Sequence, residues 1–300
     1  MDCLWWLSDR TRDVLLTNIT GDVKFYLDTT SDLCKLEHSL EEGQKINALF
    51  CTFPNILTLK CPDLWRIHNL SVKHGFIVIC DDSVANAVDV DVFPFVDIRV
   101  TSLTRTFSGS CNVAGGSVVV NPDSQYYEAI STKLKSMQDT LHPYDAMVLS
   151  RNCQDIKQRV DECNANALSV VKLLAGSHFV KRVNHPSLLH RKMLYDRHRR
   201  KDGGYGHVLT VEFLHAYYAP LFYHTLRIEK GPGYGTGFSM CLPPIIYEHR
   251  EAESLEREGI PRHLLLLSIG MEKEEVIMDV MKEALLKIAT CKPPGHSQSL

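Results

Sequence analysis

Apolar positions along the chain switch between short continuous runs and a spacing of three to four residues, and each switch marks an element. Ile46, Ala48, Leu49 and Phe50, closed by Pro54-Asn55, predict a buried strand within 45–53 that ends in a turn. Pro62-Asp63 opens a helix whose apolar face is Leu64, Ile67, Leu70 and Val72, and His74-Gly75 stops it. Phe76–Cys80 is apolar at every position, the pattern of a parallel strand covered on both faces. Residues 46–80 therefore read as a strand–helix–strand unit. Short strands at 97–100 and 117–120 extend it into an α/β sheet with right-handed crossovers. In such sheets ligands bind beyond the carboxyl ends of the strands.

Further on, Tyr127, Ile130, Leu134, Met137 and Leu141 predict one helix. Ile156, Val160, Cys163, Ala167, Val170 and Leu174 predict a second, which bridges two domains. Leu209, Val211 and Phe213 alternate with Thr210 and Glu212, the signature of a half-buried strand at 208–213, with 264–269 as its partner. A last helix over 272–289 starts with Glu272, Glu274 and Glu275 and ends with Lys282 and Lys287, charges that complement its dipole. These elements divide the chain into a large domain, 1–162, a small C-terminal domain, 163–290, and a loose tail, 291–300.

Composition narrows the picture. With 300 residues, 44% apolar and 23% charged, the chain is globular rather than disordered or fibrous. Thirty-three basic against 36 acidic side chains, a net charge of −3, do not make the electrostatic footprint of a nucleic-acid binder. The ten cysteines include no C-x2-4-C pair and the 14 histidines no H-E-x-x-H motif, so no metal site is expected and the cysteines read as reduced packing residues. Met1–Asp9 lacks the basic flank and long apolar stretch of a signal peptide, and the longest aliphatic run, Leu264–Leu267, is far shorter than the ~20 residues of a membrane span. A cytoplasmic location without membrane contact is the expectation.

Candidate chemistry gathers at the predicted strand ends. Asp81 follows an all-apolar strand, where burial costs a carboxylate its solvation unless a cation or donor is near; it can equally cap the next turn together with Asp82. Ser102 and Thr104 put two hydroxyls on one strand-end loop, as small phosphate cups do, although serine and threonine turns are common. Gly109–Gly116 lacks nucleotide-loop spacing and reads as tight packing. Arg197–Lys201 reads as a solvated loop face, and His185, His207 and His224 as exposed or satisfied core histidines.

Taken together, Phe76–Asp82, Ser102-Leu103-Thr104-Arg105-Thr106-Phe107-Ser108-Gly109 and Gly115-Gly116-Ser117-Val118 resemble the cofactor core of the PLP-dependent trans-sulfuration enzymes, most nearly fungal-type cystathionine γ-synthase. The same order continues in Leu49–Pro54 with Pro62-Asp63-Leu64, Arg151-Asn152, Lys201–Gly206, Gly231-Pro232 with Gly235-Thr236, and Ser268-Ile269-Gly270, so the likeness covers about Val23 to Ala289. It implies an α/β, aminotransferase-like PLP-dependent transferase fold (fold type I), with an incomplete large domain and a smaller C-terminal α/β domain. Nothing before Met1 supplies the family's glycine-containing phosphate loop or its ring-stacking aromatic. The implied cofactor is pyridoxal 5'-phosphate. The implied chemistry is γ-replacement or elimination on an O-acylhomoserine-type amino acid, and the implied assembly is an oligomer with shared active sites.

Carried over by position, Asp81 pairs with the pyridinium nitrogen and Ser102 and Thr104 hydrogen-bond the cofactor phosphate. Arg105 stands at the Schiff-base lysine position. A guanidinium stays protonated (pKa above ~12) and supplies neither the attacking amine nor a proton shuttle, so Arg105 is not expected to be competent. Leu266 stands where the family clamps the substrate carboxylate with arginine, Gly233 where it has serine, and Ile56 where it has a cofactor-contacting asparagine, with Asn55 one place early. The expectation is a family member with impaired catalysis of its own. Alternatives are a non-catalytic pseudoenzyme that associates with an intact relative, as a hetero-oligomer rather than a homo-oligomer, and an enzyme that uses the pocket differently, with Arg105 on an anion.

Overall fold

The structure, a computed structural model, describes residues 2–5, 17, 23–26, 30–137, 141–245 and 259–291. Among these the chain builds two sheets joined by one long helix. The first sheet contains β1 (Asp2–Trp5), β2 (Val23–Tyr26), β3 (Ala48–Thr52), β4 (Ile77–Asp81), β5 (Ile98–Ser102) and β6 (Gly116–Val120), in the order β2-β1-β3-β4-β5-β6. β1 and β2, which no sequence pattern announced, lengthen the parallel part of the sheet. Helices α1 (Thr30–Glu41) and α2 (Leu64–His74) pack on one face, where Leu33, Leu36, Leu64 and Ile67 meet Leu49, Cys51, Val78 and Cys80. α2 follows its sequence signals. The Asp63 carboxylate accepts from Arg66 N at 3.3 Å to cap the start, and Gly75, at φ 75°, closes the end in the left-handed conformation that glycine adopts without strain.

Two expectations for this sheet need correction. β4 is not covered on both faces: Val78 and Cys80 are buried, but Ile77, Ile79 and Asp81 are only half-buried. β6 runs antiparallel to β5 rather than returning by a crossover. The intervening segment folds back instead, Leu103 N and Thr104 N both donating to Gly115 O at 2.9 and 3.3 Å.

The helix expected to run to Leu141 stops earlier, as α3 (Tyr127–Ser136). A separate α4 (Pro143–Asn152) begins at Pro143 behind an N-cap at His142, because a proline favours the first helical position and pushes its predecessor out of helical geometry. α5 (Ile156–Ala175) then connects the two sheets in one continuous helix, within which the 162/163 division falls. Near its start Arg159 donates to Thr106 O and Phe107 O, in its middle Asn164 Nδ2 donates to Asp89 Oδ1 at 2.8 Å, and its end packs Ala167, Val170 and Leu174 into the second core.

The second sheet, ordered β7-β8-β11-β10-β9, contains β7 (Val180–Asn184), β8 (Val208–Phe213), β9 (Glu229–Lys230), β10 (Met240–Leu242) and β11 (Leu265–Ser268). β11 pairs antiparallel with β8, as its sequence suggested. Helices α6 (Tyr218–Thr225) and α7 (Glu274–Thr290) join α5 over this sheet. β8 is buried at all six positions rather than on one face. Its polar residues are paired instead of solvated: Thr210 Oγ1 donates to Leu57 O at 2.7 Å, and Glu212 takes Lys181 at 2.7 Å and Arg182 at 3.0 Å.

The basic run is solvated at Arg197, Arg200 and Lys201, as its sequence suggested, but anchored by its centre. His198 is buried against Phe53 and Phe95, Arg200 donates to Ala87 O at 2.9 Å, and Arg197 approaches Asp63 at 3.5 Å, so 197–200 staples this segment to the first sheet's core. Among the described residues, Cys34, Cys51, Cys61, Cys80, Cys111, Cys153, Cys163, Cys241 and Cys291 form no disulfide. No described helix is long and apolar enough to cross a membrane. Residues 6–9 at the start and 292–300 in the tail lie outside the described residues.

Candidate active site

Asp81 ends β4 at the carboxyl edge of the first sheet, where ligands of such sheets bind. Its Oδ1 accepts from Ser83 N at 2.9 Å, and burial raises its pKa above the ordinary carboxylate value. The adjacent Asp82 is wholly buried and has a different task. It accepts a hydrogen bond from Thr101 Oγ1 and lies 3.7 Å from Arg99 Nε, while burial pushes its pKa up to about 6. Ser102 ends β5 beside the same turn, its backbone N donating to Ser83 Oγ at 2.7 Å. Of the four site residues singled out from sequence, Asp81 and Ser102 thus end adjacent strands at one sheet edge, and Thr104 and Arg105 lie in the turn that follows.

Thr104 is engaged within the fold. Its Oγ1 accepts from Gly115 N at 3.0 Å and lies 3.3 Å from Gly115 O. Arg105 sits in the turn Leu103–Phe107 with φ −83° and ψ −126°, a break in the helical geometry of its neighbours. Its guanidinium lies over the Tyr234 ring, 4.6 Å from the centroid, and among the described residues it pairs with no carboxylate. The turn is held from behind. Gly109 N donates to Arg105 O at 2.8 Å, and Gly109 adopts φ 70° where a Cβ would lie 2.3 Å from Arg159 Nε. Tight packing, the role read for this glycine stretch, is what that contact shows.

The positions that depart from the family pattern converge. Leu266 is buried with Leu59, Val84, Val208 and Leu242, and Ile56 and Tyr234 pack against the same cluster. Gly233, at the position where the resemblance expects serine, lies close to Arg105 and Met240: a Cβ there would lie 3.6 Å from Arg105 Nη1 and 3.2 Å from Met240 Sδ. Asn55 is buried and shapes a turn, its Oδ1 accepting from Leu57 N and Thr58 N at 2.8 Å each. His185 is a satisfied core histidine, bonded to Ser187 Oγ at 2.7 Å and Gly206 O at 3.1 Å. His207 is buried with neither ring nitrogen partnered; burial lowers both histidines to about 4, so each is neutral. His224 is exposed.

Sequence reasoning missed Arg159 and Tyr234. Arg159 was legible as a charged residue directly beside Val160 on the apolar stripe of α5. Tyr234 had only a weak signal, a large ring between Gly233 and Gly235.

This arrangement is the fold of the PLP-dependent transferases of fold type I. The chain superimposes on cystathionine gamma synthase from Xanthomonas oryzae pv. oryzae with a TM-score of 0.84 and 21% identity, covering 97% of this chain and 76% of that one. Cystathionine gamma-lyase from yeast superimposes with a TM-score of 0.85 and 21% identity, over 96% of this chain and 76% of that one. The profile of the Cys/Met metabolism PLP-dependent enzymes matches residues 2–286, and the chain belongs to that family. It is 39% identical over 260 residues to the cystathionine gamma-synthase-like protein ankD of Aspergillus thermomutatus, covering 86% of this chain and 46% of that protein. It is 36% identical over 270 residues to cystathionine gamma-synthase of Neurospora crassa, covering 89% of this chain and 44% of that protein. The chain therefore spans less than half the length of these relatives.

Against the family's cofactor, pyridoxal phosphate, the residues present fit at one edge and fail at the reacting end. Asp81 and Ser102 stand at the sheet edge suited to a ring nitrogen and a phosphate. Position 105 offers no amine, Thr104 is bonded to Gly115, and Leu266 is packed into an apolar cluster.

Proposed function

We propose that this chain is a cystathionine gamma-synthase-like protein whose own catalysis is impaired at position 105. Its ancestral reaction class is γ-replacement or elimination on an O-acylhomoserine-type amino acid. The observation that carries the reading is the Arg105 guanidinium stacked on Tyr234 at the point where the family places its lysine. Pyridoxal phosphate, when bound, serves as the electron sink for amino-acid chemistry. On the protein side Asp81 would keep the ring-nitrogen proton and Ser102 would hold the phosphate. An arginine at this position supplies no free amine, so it neither attacks an aldehyde nor moves a proton at the substrate. Leu266 presents an apolar wall to a carboxylate, and such a wall disfavours the charge by desolvation.

The test is incubation of the purified chain with pyridoxal phosphate, borohydride reduction and intact-mass analysis. The expected result is no reduced adduct on the native chain; a stoichiometric adduct overturns the reading, because another lysine would then supply the amine.

A second reading, association with an intact relative, is favoured by apolar side chains left exposed on the edge strand and the helix that follows α3. Val118 and Val119 of β6 and Tyr144 and Met147 of α4 are exposed, Met147 by 64%. Co-expression with an intact family member, followed by size-exclusion chromatography with light scattering, is expected to give a mixed oligomer. Separate elution at micromolar concentration removes this reading.

A further inference from the structure

The missing amine is one obstacle in the cleft, and the geometry around it points to a second. We infer that Tyr234 is a built-in occupant of the cleft, so that a lysine at position 105 alone does not restore capture of pyridoxal phosphate. The inference rests on the assignment of this cleft as the ancestral cofactor site.

Three observations carry it. The Tyr234 ring lies under the Arg105 guanidinium, 4.6 Å from centroid to carbon, and packs on the cluster of Leu59, Val84, Val208, Leu242 and Leu266. It therefore spans the space between the reacting position and the former carboxylate position. Second, the phenol is close enough to Asp81 for that carboxylate to act on it electrostatically. Burial and Asp81 both push its pKa above the ordinary range, with Arg105 opposing. The same side chain thus lies near both Asp81 and Arg105.

Third, the loop that carries the ring is fastened on both sides. Gly235 N donates to Ser268 Oγ at 2.9 Å, and Gly235, at φ 79°, packs so closely that a Cβ would lie 2.6 Å from Thr106 N. Gly233 approaches both Arg105 and Met240, a hypothetical Cβ lying 3.6 Å from Arg105 Nη1 and 3.2 Å from Met240 Sδ. A ring on a loop so constrained does not swing clear without breaking contacts with the Leu103–Phe107 turn and the second sheet. A smaller side chain at 234 opens the space and leaves the backbone in place.

The test compares the native chain, Arg105→Lys, Tyr234→Ala and the double variant, each mixed with pyridoxal phosphate. Non-covalent retention is read by equilibrium dialysis, covalent capture by borohydride reduction and intact mass, and folding by thermal melts. Tyr234→Ala alone should retain the ligand about tenfold more than the native chain yet form no adduct, and the double variant should form about tenfold more adduct than Arg105→Lys. Equal capture by Arg105→Lys and the double variant overturns the inference while leaving the proposed function intact. No capture by a double variant that melts cooperatively overturns it as well. Should the alanine variants fail to fold, Tyr234→Leu keeps the apolar packing, removes the ring and faces the same two outcomes. An adduct on the native chain instead sinks the proposed function, and the single-against-double comparison still decides the role of Tyr234.

Discussion

The two sheets of this chain bury their strands in different ways. In the second sheet β8, β10 and β11 are buried at every position, with α5, α6 and α7 on one side and Leu57 and Thr210 meeting on the other. In the first sheet β3 and β4 alternate between buried and half-buried, β5 is half-buried throughout, and β6 is largely exposed. Apolar composition does not explain the contrast, since β4 is as apolar as β11 up to its terminal aspartate. The difference lies in cover: one sheet is sandwiched within the described residues, whereas the other packs its helices on one face. The same strand sequence therefore contributes different stability according to what lies above it.

The largest expected effects break or sharpen that contrast directly. Leu267→Ala, at a wholly buried position of β11, should reduce the unfolding free energy by about 2–5 kcal/mol. Ile79→Ala, on the half-buried face of β4, should cost under about 2 kcal/mol. Urea denaturation of the two variants measures both, and equal losses would erase the distinction between the sheets.

Next comes pH, where buried histidines, His198 in the first core among them, and a buried carboxyl pull in opposite directions. His185 and His207, beside the second sheet, are lowered by burial from 6.5 to about 4. The unfolded chain takes up their protons first, so their contribution is intact above pH 6.5 and is lost as pH falls towards 4. Asp82, in the first sheet, is raised by burial from 3.8 to about 6. Its contribution is intact below 3.8 and is lost as pH rises through about 6, because the unfolded carboxyl ionises first. Each effect is on the order of 3 kcal/mol. Melting temperatures across this window should therefore show a smaller acid-side fall in His207→Gln, with the part due to His185 and His198 remaining, and gain stability near neutrality in Asp82→Asn; unchanged profiles would mean that both groups titrate as if exposed.

A smaller effect is expected at the joint between the regions. Gly204 N donates to Asp89 Oδ1 at 2.7 Å, and a Cβ on Gly204 would lie 2.1 Å from Asn164 Nδ2. Gly204→Ala should cost about 1–3 kcal/mol by displacing that amide from Asp89. Gly206→Ala, with nothing within 4 Å but a φ of 82°, should cost about 1 kcal/mol from backbone strain alone. Calorimetry distinguishes them, and a larger loss at Gly206 would show that the joint tolerates repacking.

Much of the architecture was legible from local pattern. The caps of α2, the β3–α2–β4 unit, the pairing of 208–213 with 264–269 and the last helix all follow from period, capping and turn residues, which act within a few positions of the chain. So did the family, through motifs in fixed order, and the placing of Asp81 and Ser102 at the sheet edge. Burial of the polar side of β8 and the anchoring of His198 and Arg200 were decided by partners more than 20 residues away in sequence, such as Leu57 for Thr210, and the antiparallel return of β6 by pairs 14 to 22 residues apart. The site divides along the same line. That Arg105 supplies no free amine is a property of the residue type and needs no structure. That Ile56, Tyr234 and Leu266 close over one cleft required the tertiary fold, because they come from three separate segments and no period relates positions so far apart.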